Sequence, residues 1–193
     1  GQTNFEILRN IRGTKANNYK DGALAVVDRH AKTIVRTAVQ HSASTARMQT
    51  WIKNGISQYT WLSTLDGRTS TICRTLDQEI YDIGKGPVPP IHLNCRSSIL
   101  AKLPSKYNYL DKGATRASKE GPVDAKLGYY EWLKLQDRGF QDDVLGKTKG
   151  QLFRSGGLTV ERFKQLQLDK NFKPLTLDEM RKKEKAAFEK IDK

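Results

Sequence analysis

Leu24, Val27, Ala31, Ile34, Ala38, His41, Thr45, Met48 and Ile52 step along the chain by alternating threes and fours, the spacing that sets side chains on one stripe of a helix. The pattern predicts a long helix that Asp21 caps at its start and Asn54-Gly55 ends. The middle of the stripe is small (Ala31, Ala38, Thr45), so a second helix can approach closely there. Two readings follow: the stripe packs on its own domain, or it belongs to a bundle or a contact with another subunit. His41, on the stripe, reads as a packed histidine rather than a ligand. Upstream, Phe5, Ile7, Leu8 and Ile11 form a short apolar pattern followed by a loop over 13–19.

After Gly55 the period falls to two. Tyr59, Trp61 and Ser63 alternate with Gln58, Thr60 and Leu62, which reads as a strand, and Asp66-Gly67 is a turn signal. Residues 79–83 and 96–103 are further strand candidates, giving a small antiparallel sheet. Residues 104–126 are rich in Lys, Asp, Gly, Ser and Thr and read as a loop or linker. Beyond them come short helices, with Thr159 and Thr176 as N-caps and Glu179 completing a capping box with Thr176. The expected class is α+β and mainly helical: a helical arm over 1–55, a small-sheet domain over 56–105, a linker over 106–126 and a helical region over 127–193.

The central stretch concentrates the chemistry. Both cysteines of the chain lie in it, with one of the three histidines, as Asp66-x6-Cys73-x18-His92-x2-Cys95. Zinc takes four N, S or O donors in a tetrahedron, and an H-x2-C knuckle brings two of them to one point. Asp66, Cys73, His92 and Cys95 are therefore the candidate metal ligands. A Cys73–Cys95 disulfide, or two inert buried thiols beside a surface histidine, fits the same residues. Glu79 and Asp82 could act as general bases for a catalytic zinc, but no HExxH-type motif fixes them, so a closed structural site is the better reading.

Charge adds a partner class. Net charge is +13. Nine basic residues face three acidic ones over 1–63, but only five face four over 64–105, so the excess sits on the arms. Such arms favour a polyanion, nucleic acid above all, without sequence reading; the alternative is an acidic protein surface. No apolar run approaches the length of a membrane span, and no signal-peptide core is visible. The chain starts at Gly1 rather than methionine, as expected of a fragment, a processed product or part of something longer.

Val35-Arg36-Thr37, Ser44-x-Ala46-Arg47, Tyr59-x-Trp61, Leu65-Asp66-x-Arg68-Thr69, Cys73, Leu76-Asp77 and Pro89-Pro90-x-His92-x2-Cys95-Arg96-Ser97 together resemble the phage head-morphogenesis family, the minor head proteins similar to protein F of phage Mu. Trp132-Leu133, Phe140-Gln141-x2-Val144-Leu145-Gly146, Leu152-Phe153 and Gly156-Gly157-Leu158 resemble the segment that often follows. Gln78 departs from the family, which usually has glycine after Leu-Asp, and that bears on one turn. The resemblance implies a low-copy protein of a tailed phage or prophage head, in the head interior after assembly in the host cytoplasm. It further implies association with the portal protein and other head proteins, contact with packaged double-stranded DNA or its ejection, several copies per virion, and no established enzymatic activity. It strengthens a structural metal at Asp66, Cys73, His92 and Cys95. A zinc-dependent nuclease or other DNA-acting hydrolase is the alternative; it needs a general-base histidine, and His30 and His41 lie in the long helix, where neither serves.

Overall fold

The computed structural model describes residues 2–192, so the chain start at Gly1 lies outside the described residues. By internal contacts the chain divides into two units, one made of residues 1–50 and 88–95, the other of residues 51–87 and 96–193.

The first unit begins with α1 (Asn4–Arg12), closed at its start by a Thr3–Glu6 capping box. Most of α2 (Ala23–Lys53) follows, the long helix that the three-and-four spacing predicts. Its stop is as expected: the amides of Asn54 and Gly55 reach back to Trp51 and Ile52, and Gly55 takes φ +71°, a left-handed turn that costs glycine little. Its start differs from expectation. The Asp21 carboxylate does not cap α2; it accepts bonds from the Thr14 amide, the Thr14 hydroxyl and the Asn17 side chain. Three donors in the preceding loop outcompete one helix amide. Those hydrogen bonds, Asn17's first, hold the Asp21 carboxyl well below the usual carboxylate range. Residues 88–95 lie along α2, where the Asn94 amide donates to the Thr37 hydroxyl (3.3 Å) and its side-chain amide to that of Thr33 (3.2 Å).

In the second unit β1 (Gln58–Leu62) is the middle strand, with β2 (Ile80–Asp82) and β3 (Ser98–Ala101) antiparallel on either side. The register sets Tyr59 opposite Tyr81 and Ala101, and Trp61 opposite Ile99. The two-residue period sends Tyr59, Trp61 and Ser63 inward, and all three are buried. Between β1 and β2 runs α3 (Thr71–Leu76). Gln78, at the position of the family glycine, makes the turn all the same, at φ +64°. Its amide donates to the Trp61 carbonyl and its side chain to that of Ala125, offsetting the backbone strain of about 1–3 kcal/mol.

The segment expected to be a linker holds a hairpin, β4 (Thr115–Ser118) with β5 (Gly121–Asp124). Polar strands with few apolar anchors look like loop in sequence; pairing and one buried arginine, Arg116, make them sheet. Among the described residues six helices follow: α4 (Tyr129–Lys134), α5 (Arg138–Leu145), α6 (Lys147–Ser155), α7 (Val160–Gln165), α8 (Leu177–Lys183) and α9 (Lys185–Ile191). Thr159 and Thr176 cap α7 and α8 as expected, the latter through the Thr176–Glu179 box. Their apolar faces share one core with Leu65, in which Tyr130 and Phe163 meet edge to face at 5.6 Å and Trp132 and Phe140 at 5.7 Å. An α+β, mainly helical chain with a small antiparallel sheet results.

Candidate metal centre

Cys73 sits in the first turn of α3. Its amide donates to the Ser70 hydroxyl, the helix cap (3.3 Å), and its carbonyl accepts from Ser63 Oγ (2.6 Å). Ser63 in turn takes the Trp61 indole N–H at 2.9 Å. The cysteine backbone is therefore held on both sides by the strand and the cap. The His92-x2-Cys95 knuckle closes on itself through the Cys95 amide and the His92 carbonyl (3.2 Å), with Asn94 at φ +56° in between. Asparagine tolerates that left-handed backbone better than most residues, and its bonds to Thr33 and Thr37 secure the turn.

Cys73, His92 and Cys95 form a group that could hold a metal ion, and two thiols with an imidazole are donors that zinc takes. The chemistry of the set fits. Both cysteines are buried thiols not joined in a disulfide. His92 Nδ1 lies 2.9 Å from the Leu93 carbonyl; a carbonyl only accepts, so Nδ1 carries the proton and the lone pair belongs to Nε2. A backbone carbonyl on the far nitrogen is how ligating histidines are commonly oriented.

Asp66, the fourth candidate, is not brought into that group. Its carboxylate pairs with the Arg96 guanidinium at 2.6 and 2.7 Å and also takes the Arg68 amide and the Thr69 hydroxyl. A bidentate arginine fork suits a carboxylate better than a lone hydroxyl or amide does, and Arg96 follows Cys95 directly, so the pair anchors the knuckle's exit. The other candidate acids are engaged too: Glu79 with Lys164 at 2.6 Å, Asp82 with Lys85 at 3.2 Å.

Arg96 holds the Asp66 carboxyl below its ordinary value of 3.8. A depressed folded-state value means that the pair's stabilisation is present above the ordinary value and is lost as pH falls through the lower one. Arg96→Ala is expected to flatten the acid limb of the stability curve below about pH 4, read by urea unfolding at a series of pH values. An unchanged acid limb would remove the pair from the acid response.

Sequence reading missed the most buried charges. Asp77 and Arg116 are both almost fully buried and meet at 2.8 and 2.9 Å. Asp77 also accepts the amides of Ser63 (2.7 Å) and Tyr129 (2.8 Å), and Arg116 donates to the carbonyls of Ser63 and Leu127. The signal for Arg116 would have been an arginine at an inward position of a short alternating strand, which the linker reading of 104–126 hid.

A family model described as phage Mu protein F like protein matches residues 1–100, just over half of the chain. The chain belongs to the phage Mu protein F like family. The matched region takes in Asp66, Cys73, His92 and Cys95 and ends within β3. No curated protein and no solved structure matches the chain. Membership in the phage Mu protein F like family supports a phage head-morphogenesis protein that belongs to the virion and works with other head components, in a family that is generally structural rather than enzymatic. Among the described residues no helix is long and apolar enough to cross a membrane.

Proposed function

We propose that the protein is a minor head protein at the portal vertex of a tailed phage or prophage, present in several copies, with its basic arms beside packaged DNA and a part in head assembly or DNA ejection. The family match carries this reading; the net charge of +13 supports the DNA contact. One structural zinc ion, held by Cys73, His92 and Cys95, fastens the central stretch. When bound, it supplies a cross-link between the Cys73 turn and the His92-x2-Cys95 knuckle and no chemistry on a substrate. Asp66 completes the set if it exchanges Arg96 for the ion; otherwise a water does. Zinc content of Asp66→Asn decides between them: a loss assigns Asp66 as a ligand, and retention leaves it with Arg96.

Two measurements test the reading. Co-expressed with the head proteins of its own phage, the chain is expected to co-purify with portal-containing particles; particles without it would refute the head assignment. On unrelated duplexes of equal length, it is expected to bind with equal affinity that falls at least about tenfold between 50 and 200 mM salt. Salt-insensitive or absent binding would remove DNA from the proposal, and metal-dependent cleavage of plasmid would favour the hydrolase reading instead.

A further inference from the structure

We infer that the cleft between α1 and the loop after it docks a short acidic segment of another protein, anchored by one large apolar side chain. The cleft measures 510 Å³. Phe5, Leu8 and Tyr19 supply its apolar wall, and Arg9, Arg12 and Lys15 its charge. Phe5 is 74% exposed and Leu8 63%, and no residue of α1 is buried. The loop that closes the cleft is fixed. Gly13 and Gly22 meet backbone to backbone, where a Cβ on Gly22 would collide with the Gly13 nitrogen. The Tyr19 amide donates to the Thr14 carbonyl at 2.9 Å, and Asp21 takes Thr14 and Asn17. The Arg12 guanidinium lies over the Tyr19 ring, 4.6 Å from its centre. Walls that stand before a ligand arrives lower the ordering cost of binding.

Charge selects the occupant. Three cations line the cleft, and among the described residues no acid does. Glu6 and Asp21 line a second, polar cleft that shares Arg9 and Thr14 with the first. Both are engaged, Glu6 by the amide and hydroxyl of Thr3 and Asp21 by the loop. Apolar surface then separates one anion from another. The phosphates of a DNA duplex would meet the cations but leave Phe5 and Leu8 in water, because its bases are stacked on one another. A peptide with glutamates or aspartates around one leucine or phenylalanine covers both features. A second copy of the chain, cleft to cleft, would set the same cations against themselves.

The inference stands apart from the head and DNA readings. Its test uses the whole 193-residue chain and labelled peptides of equal length: glutamates around a central leucine, glutamines around that leucine, and glutamates around a central serine. The first is expected to bind at least about tenfold tighter than either of the others at low salt. Phe5→Ser and Lys15→Glu, both at exposed positions, are each expected to weaken it about tenfold with the circular dichroism unchanged. Phe5→Ser should leave duplex binding as it was. Equal affinity for the three peptides, binding of none, or loss of duplex binding in Phe5→Ser would overturn the inference. So would self-association, or capture of single-stranded DNA or of phosphatidylserine vesicles, that Phe5→Ser removes. Peptide binding by a protein that binds no duplex upholds the cleft and fails the DNA contact; duplex binding without peptide binding does the reverse.

Discussion

Asp77→Ala is expected to destabilise the protein by about 3–5 kcal/mol, because it strands the buried charge of Arg116. Alanine also leaves the amides of Ser63 and Tyr129 without the acceptors that they now share, and a buried donor left unpaired costs about 1–3 kcal/mol on its own. Arg116→Ala should cost a similar amount by the converse route. Replacing both, as Asp77→Leu with Arg116→Met, is expected to cost less than the two single changes combined, since no charge is then left unpaired. Urea unfolding of the four proteins forms the cycle. Single losses below about 1 kcal/mol would mean that water reaches the pair and that its burial is nominal.

Cys95→Ser is expected to abolish zinc binding. Purified protein should carry about one zinc per chain, and the variant close to none, with affinity lowered by more than the roughly 10–100-fold typical of losing a group that merely orients a ligand. Melting temperature should fall with the metal, and a chelator should bring the parent protein to the same place, because the free energy of binding a structural zinc is folding free energy. A parent protein without zinc, or a variant that melts where the chelated parent does not, would remove the ion from the fold.

What the residues foretold follows from how local each signal is. The run of α2 and its stop were legible because a three-and-four repeat and an Asn-Gly stop are properties of neighbours in the chain; the cap at Asp21 was not, because loop donors claim that carboxylate. The outer side of α2 was not: an apolar stripe has the same spacing whether it packs inward or faces water, and here Thr33 and Thr37 are half-buried while Val27, Val35 and Val39 are exposed. The inward face of β1 was legible from alternation, and the caps at Thr159 and Thr176 from their own side chains. The H-x2-C knuckle announced itself by spacing, and with Cys73 it makes a group that could hold a metal ion. Whether Asp66 faces a metal or Arg96 depends on which group the fold places nearer, and no spacing encodes that. The β4–β5 hairpin was illegible for a related reason, because its inward residue is an arginine whose partner lies 39 residues away.

That separation governs how the molecule is made. Asp77 emerges from the ribosome long before Arg116 and Tyr129, so its carboxylate spends that interval in water, with nothing yet present to dry it. The central sheet cannot seal around a charge without its counterion, and the seal waits until the hairpin and the first turn of α4 have been synthesised. Long-range pairings of this kind pay their loop entropy before any contact repays it. The early half of the chain, which holds the candidate ligands, is thus finished by the late half.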